Sequence, residues 1–565
     1  MNLNLKAKKQ NTYDAIVVGT GISGGWSAKE LSENGLNTLV LERGRNVSHG
    51  DYPTATLEPW DLPRNDEIPY EEREHYEKQL RTGYTIREST KHWWVRDTDQ
   101  PYREIERFDW IRGYHVGGRS IMWGRHSYRL SDLDFEANAR EGIAVDWPIR
   151  YSDIEPWYDY VERFAGISGE ALGIPHFPDS RFLPPMELNC VEKHAREKIR
   201  QHFSDRVLTI GRVAMLTEPH MGRGPCQFRN KCIRGCPYAG YFSSNAATIP
   251  AAEQTGNLTL RPHSIVNKVI YDAETGKASG VEVIDAETGE MQEFYARVIF
   301  LNASAINTAM ILMNSRSDRF PDGLGNDSGQ LGRNLMDHHF RVGANGRFEG
   351  FQDRYYFGRR PTGFFIPRFR NVESNDRDYV RGFGYQGSAS RENWSRVVRE
   401  LSIGNELKEL AQTPGEWTMG MTAFGEMLPH EENRMWLDFE NTDKWGQPTV
   451  VFDCKFRDNE LKMREDMKND AAEILEAAGF KNITTYDNLG APGLGIHEMG
   501  TARMGRDPDT SVLNEWNQIH AVPNVFVTDG ACMTSAANQN PSLTYMALSA
   551  RAANYAAEEL NKQNL

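Results

Sequence analysis

A glycine-rich turn near the start, Gly19-Thr20-Gly21-Ile22-Ser23-Gly24, constrains this chain more than any other segment. A short apolar run rich in strand formers, Tyr13 to Val18, precedes it, and a helix-like stretch through Leu31 follows. Gly35 suits a helix stop, and Thr38 to Leu41 reads as a second strand ending at Glu42. Strand, turn, helix and strand in this order predict an α/β fold with a Rossmann-like sheet. Gly19 allows the tight turn, Gly21 lets the backbone approach a pyrophosphate, and Gly24 lets helix and strand pack closely. Ile22 and Ser23 open the helix, whose N–H groups and positive dipole end favour phosphates. Glu42 lies 18 residues beyond Gly24, where a carboxylate accepts from both ribose hydroxyls and repels a 2′-phosphate.

The sequence Glu42-Arg43-Gly44 after Leu39-Val40-Leu41 is common in FAD-binding oxidoreductases, while NAD also fits this segment taken alone. Composition narrows the partners. In 565 residues, 79 acidic side chains outnumber 65 basic ones for a net charge of −14, and there is no basic block. That balance argues against nucleic acid and against an anionic membrane surface. No apolar run reaches the roughly 18 residues of a membrane span, so an integral membrane protein is not expected. The first ten residues are basic but lack an apolar stretch and a twin arginine, so no export signal is expected. The chain is then cytoplasmic, or periplasmic if exported with a signal-bearing subunit.

Residues 51–110 are charged, aromatic and dotted with proline, and read as an irregular excursion with short helices. Ile265–Tyr271 and Gly280–Ile284 suggest a hairpin, Val298–Leu301 a buried strand, and Ala305–Met313 a helix. Asn433–Phe439 and Thr449–Phe452 read as strands joined by a turn at 443–446. Met467, Ala471, Ile474, Leu475 and Ala478 fall at helical spacing before a Gly479 stop.

Further segments converge on one family. Val116-Gly117-Gly118-Arg119-Ser120-Ile121-Met122-Trp123-Gly124 is a second glycine loop, and Leu331-Gly332-Arg333-Asn334-Leu335-Met336-Asp337-His338 follows the buried strand. Near the end stand His497-Glu498-Met499-Gly500-Thr501-Ala502-Arg503, then Val527-Thr528-Asp529-Gly530, then Asn540-Pro541-Ser542-Leu543-Thr544. With the first turn, these resemble the glucose–methanol–choline (GMC) oxidoreductase family, in its order, over about 13–337 and from 497 to the end. The middle of the chain matches loosely.

The resemblance implies a flavin domain in two pieces, 1–340 and 485–565, and a second α+β domain with a mostly antiparallel sheet at 341–484. It implies His497 as the catalytic base beside the flavin and Asn540 as its partner. Gly117, Gly118, Ser120, Met122, Trp123, Val266, Asp529, Gly530, Pro541, Ser542 and Thr544 would join Gly19, Gly21, Ile22, Ser23, Gly24, Glu42, Arg43 and Asn540 around FAD. Met122 stands where pyranose 2-oxidases carry a flavin-linked histidine, so FAD should be bound non-covalently. Neutral histidine suits the removal of a hydroxyl proton near pH 7, and a flavin accepts the hydride.

Six cysteines are too few for a disulfide framework, but three crowd together as Cys226-x5-Cys232-x3-Cys236-Pro237. The two-residue gaps of zinc knuckles and redox pairs are absent. A thiol loop and a structural zinc remain alternatives to an iron–sulfur cluster. The spacing resembles that of flavin glucose dehydrogenases and of glucoside 3-dehydrogenase catalytic subunits, which implies [3Fe–4S], or [4Fe–4S] were Cys190 a fourth ligand. Cys190, Cys454 and Cys532 otherwise read as small buried hydrophobes. The whole reading is an FAD-dependent sugar dehydrogenase that oxidises a secondary hydroxyl, C3 of glucosides. Its electrons leave through the cluster to a cytochrome-type acceptor, with a small subunit as partner. Alternatives are a gluconate or polyol dehydrogenase, a sugar oxidase, and a non-catalytic binding protein on a flavin fold.

Overall fold

The computed structural model of the protein describes residues 11–354, 362–392 and 403–565. The first ten residues, read above for an export signal, lie outside the described residues, as do two stretches of the expected second domain. Among the described residues no helix is long and apolar enough to cross a membrane.

The first strand, Thr12–Val18, pairs in parallel with Thr38–Leu41 on one side and Met291–Leu301 on the other. The sheet continues to Leu258–Arg261 at one edge and to Val522–Val527 and Gln518–Ile519 at the other. The hairpin Ser264–Asp272 and Lys277–Asp285 joins through the first half of Met291–Leu301 and completes eight strands. The parallel strands are apolar on both sides because both sides are covered. Ile16, Leu39 and Ile299 lie in register and face one core, while Ala15, Val17, Val40, Val298 and Phe300 face another. The helix Ile22–Glu33 and the alanine-rich helix Ser542–Asn561 close the second face with Ala28, Leu31, Ala552, Ala553 and Ala556.

A second, antiparallel sheet has seven strands. Its order is Lys481–Asp487, Val342–Phe348, Trp417–Glu426, Phe383–Arg391, Phe364–Ile366 and Thr209–Ile210, with His338–His339 paired to the end of Trp417–Glu426. The helix Asp458–Ala477 covers it, burying Met463, Met467, Ala471, Ile474 and Leu475, and Gly479 follows with φ +83°.

Two segments cross the expected domain limits. Helix Cys190–His202 carries its apolar side chains on one stripe, Val191, Ala195 and Ile199, and buries them in the second core, to which Ile210 of strand Thr209–Ile210 also belongs. An amphipathic stripe states that a helix needs cover and not which sheet supplies it. Conversely, Arg434–Thr442 and Pro448–Asp453 pair with Tyr102–Glu104 in a small separate sheet. Their Met435, Leu437, Val450 and Phe452 enter the first core, where Phe452 stacks on Phe108 at 4.2 Å between ring centroids. Cys454 and Cys532 are buried, whereas Cys190 is half-buried.

If the 190–202 helix belongs to the second core, Ile199→Ala should cost about 2–5 kcal/mol, the usual range for emptying such a buried site. The change Arg200→Ala, at an exposed position of the same helix, should be near neutral. Denaturant midpoints of the two variants check this.

Candidate active site

Four parallel strands end at Val18, Leu41, Leu301 and Val527, and a cavity of about 510 Å³ opens beyond them. In open α/β sheets ligands bind at this edge. The first turn is close-packed. Gly19 has φ +95°, and a Cβ there would fall 2.4 Å from the carbonyl oxygen of Asn302. A Cβ on Gly24 would meet the carbonyl oxygen of Gly19 at 2.0 Å. Gly21 is the exception: no protein atom lies within 4 Å of where its Cβ would be, and it lines the cavity. That open cradle fits a pyrophosphate against bare backbone.

Thr20, which the fingerprint leaves unspecified, is the node of the turn. Its hydroxyl donates to Glu42 Oε2 and accepts from the Gly117 N–H at 2.9 Å. The N–H groups of Thr20 and Gly44 also donate to Glu42, at 3.2 and 2.9 Å. Burial pushes the Glu42 carboxyl upward and these hydrogen bonds oppose it. Gly118 packs over Gly21, its Cβ position 3.4 Å from the Gly21 Cα. Ser120 accepts from the Ser244 N–H at 3.0 Å and donates to the Gly117 carbonyl at 2.6 Å. At the far end, the Arg43 guanidinium lies between the rings of Tyr114 and Trp445, 4.7 Å from each. It donates to Gln447 at 2.6 Å and to Asp443 at 2.9 Å. The expected hairpin turn at 443–446 therefore reaches the nucleotide side of the cavity.

Of the residues expected around FAD, Gly19, Gly21, Ile22, Ser23, Glu42, Arg43, Gly118, Ser120, Met122, Trp123, Val266, Asp529, Gly530, Asn540 and Ser542 line the cavity. Gly24, Gly117, Pro541 and Thr544 do not; Gly117 is bonded to Thr20, and Thr544 shares a 2.8 Å hydrogen bond with Tyr158. Tyr545, also in the wall, has a buried hydroxyl without a hydrogen-bond partner. Burial pushes Asp529 up to about 6, although Thr308 donates to it at 2.6 Å and the Ala531 N–H at 2.9 Å. The open cradle and the orphaned hydroxyl fit FAD.

Both expected reactive residues line the other end of the cavity. The Asn540 Nδ2 lies 3.5 Å from His497 Nε2, and Asn540 Oδ1 accepts from Gln386 Nε2 at 2.7 Å. His497 Nδ1 lies 2.7 Å from His338 Nδ1, and His338 Nε2 lies 2.7 Å from the Ala537 carbonyl. Burial drives His497 far below the ordinary histidine range, helped by positive potential from His338, Arg119 and His126. Burial likewise brings His338 down to about 4. The loop is held from beneath. Asp337 accepts from the N–H groups of Gly495 and His497 at 2.8 and 3.1 Å, and burial raises its carboxyl to about 7. Glu498 pairs with Arg119 through two contacts, at 2.9 and 3.2 Å. His126 adds a further ring to the wall, bonded to Tyr128 at 2.9 Å.

Sequence reasoning missed Thr20, His126, His338 and Gln386. His338 closes one of the quoted motifs, so a second histidine beside Asp337 was the available signal. Gln386 carries none, because only strand pairing brings it to Asn540.

The thiols of Cys226, Cys232 and Cys236 are half-buried beside the second core. Burial pushes Cys226 up to about 11, and the other two thiols add to the shift. The Tyr241 hydroxyl donates to the carbonyl of Ile121 and lies 3.1 Å from that of Cys232, joining this loop to the second glycine loop, and Ile233 touches the cavity. As placed, the thiols do not form a ready ligand set: among the described residues no three His, Cys, Asp or Glu side chains are arranged to hold a metal ion.

Fold and cavity define a two-sheet oxidoreductase built around a flavin dinucleotide site. The GMC oxidoreductase description matches residues 13–340 with its N-terminal part and 429–549 with its C-terminal part, and the chain belongs to this family. The N-terminal domain of the family binds FAD. The chain is 28% identical over 565 residues to the 2-methyl-1,2-propanediol dehydrogenase of Mycolicibacterium austroafricanum, across 96% of this chain and 94% of that one. It is 25% identical over 563 residues to the fructose dehydrogenase large subunit of Gluconobacter japonicus, across 97% and 98%. The solved structure of pyridoxine 4-oxidase from Mesorbium loti shares the fold, with a TM-score of 0.58, 17% identity, and coverage of 97% of this chain and 99% of that one.

Gly21 and Gly24 should fail differently on gaining a side chain. Gly21→Val should leave the melting temperature of the FAD-free protein unchanged and weaken FAD binding by about tenfold or more, because the side chain fills the pyrophosphate approach. Gly24→Val should lower the melting temperature itself. Thermal melts with FAD titrations separate the two.

Proposed function

We propose that this chain is an FAD-dependent sugar dehydrogenase that oxidises a secondary hydroxyl, C3 of a glucoside, to a ketone, with His497 as base. The observation that carries the reading is the approach of His497 Nε2 and Asn540 Nδ2 to 3.5 Å at the polar end of the cavity. One accepts and the other donates, which suits a substrate hydroxyl. When bound, FAD supplies the acceptor for the hydride that leaves the carbinol carbon. His497 takes the hydroxyl proton on Nε2, and Asn540 holds the substrate oxygen without competing for that proton. Gln386 and His126 stand beside them in the wall and offer polar contacts to neighbouring hydroxyls. Phe340, Phe424 and Ile496 surround this end with apolar surface that excludes water.

A smaller polyol is the second reading, favoured by the relative named for 2-methyl-1,2-propanediol. An oxidase acting on the same hydroxyls differs only in giving its electrons to O2. A binding protein without turnover has no use for the His497–Asn540 pair. The large-subunit name of the fructose dehydrogenase relative supports a small-subunit partner.

The iron–sulfur reading rests on the spacing of Cys226, Cys232 and Cys236 and on their loop lying between cavity and surface. Those thiolates would hold a [3Fe–4S] cluster, whose chemistry there is single-electron transfer to an external acceptor.

Anaerobic incubation with glucosides, free sugars, gluconate and small diols should bleach bound flavin with one class only, and product NMR gives the carbon oxidised. Bleaching by diols alone would favour the polyol reading. His497→Ala should slow flavin reduction by roughly 100-fold or more, the scale of losing a positioned base, with FAD still bound. Acid precipitation should release the flavin to the supernatant, because Met122 offers no covalent link. Anaerobically purified protein should carry about three irons and four sulfides per chain. Zinc, or no metal, ends the cluster reading.

A further inference from the structure

His338 lies 159 positions from His497 in sequence, in a two-residue strand of the second sheet, yet their rings meet edge to face. Its Nε2 faces the Ala537 carbonyl at 2.7 Å, and a carbonyl only accepts, so this nitrogen carries the proton. A neutral ring then has a bare Nδ1. That bare nitrogen sits 2.7 Å from His497 Nδ1, which must therefore be the donor. A neutral His497 with its proton on Nδ1 keeps Nε2 bare. A second contact agrees independently: Gln386 Nε2 donates to Asn540 Oδ1 at 2.7 Å, which turns the Asn540 NH2 group toward His497 Nε2. A donor faces a nitrogen that has room to accept.

We infer that His338 is a positioning residue that fixes the reactive tautomer of His497 and shares the proton His497 removes. The inference rests on His497 being the base. Without an acceptor at Nδ1, an imidazole is free to carry its proton on Nε2, and that tautomer cannot take a hydroxyl proton. With His338 in place the site holds one tautomer before substrate arrives. On proton uptake at Nε2, the Nδ1 proton of His497 shifts along the existing hydrogen bond to His338 Nδ1. The bond to Nε2 forms as the substrate O–H breaks, the bond from Nδ1 of His497 breaks as that to His338 forms, and the positive charge moves to the second ring. There the Ala537 carbonyl receives the Nε2–H dipole.

The test uses FAD-loaded protein and single-turnover flavin reduction with whichever substrate bleaches the wild type. His338→Leu keeps volume and removes the acceptor; His338→Asn returns an oxygen near the Nδ1 position. The leucine variant should reduce flavin about 10- to 100-fold more slowly, as expected for a misprotonated base. The asparagine variant should recover most of that loss. Adding His338→Leu to His497→Ala should cost nothing further, because His338 acts through His497. A leucine variant near wild type, an asparagine variant no better than leucine, or a further loss in the double variant would each overturn the inference. If His497→Ala itself reduces flavin normally, the base assignment fails first. A slow His497→Ala beside a normal His338→Leu leaves the base standing and removes His338 alone. Flavin content and spectrum of each variant exclude unfolding as the cause.

Discussion

The Thr20 hydroxyl, giving its proton to Glu42 and taking one from the Gly117 N–H, is the contact on which the cofactor side depends. It joins the first turn, the end of the second strand and the second glycine loop at one oxygen. Each partner is buried, so the hydrogen bonds are made in a setting where losing one leaves an unsatisfied group. Gly19 and Gly24 allow the chain to come close enough for this, and Gly118 is drawn over Gly21 as a result. The floor of the cavity is thus set by backbone and one small hydroxyl, with no side chain at Gly21 to intrude where phosphates would lie.

The reactive end depends on a different kind of contact, between sheets. His497 and Asn540 come from loops that follow the second sheet in sequence and pack on the first. His338 and Gln386 come from the antiparallel sheet, in strands His338–His339 and Phe383–Arg391. The geometry of the proposed base and its amide is therefore a property of the seam. Asp337 reinforces it by holding the 495–497 backbone from the residue next to His338.

What the sequence disclosed follows from the range of the interactions. The first strand, turn and helix are local, and their residues are dictated by sterics, so spacing alone identifies them. The hairpin at 264–285 and the helix ending before Gly479 are legible for the same reason. His497 and Asn540 were singled out through resemblance, since a histidine among glycines or an asparagine before a proline is unremarkable alone. His338 and Gln386 acquire meaning only from partners 159 and 154 positions away, which no periodicity encodes. Sequence reasoning passed over the helix at 190–202, and its apolar stripe would not have stated which sheet covers it. The cysteine spacing was conspicuous, yet the thiols as placed do not by themselves define a metal site.

The second core takes its residues from separate stretches, including Met186 to Ile210, Val342 to Ala389, and Trp417 to Phe480 apart from the Arg434–Asp453 hairpin, which packs elsewhere. The chain crosses between the two sheets repeatedly instead of once. Exchange of substrate preference with a relative by grafting one contiguous block would therefore sever the strand at 209–210 from its neighbour at 364–366. Modularity in this architecture belongs to surfaces and not to segments. A transplant would have to carry a helix and a strand from deep within the half of the chain that binds the nucleotide.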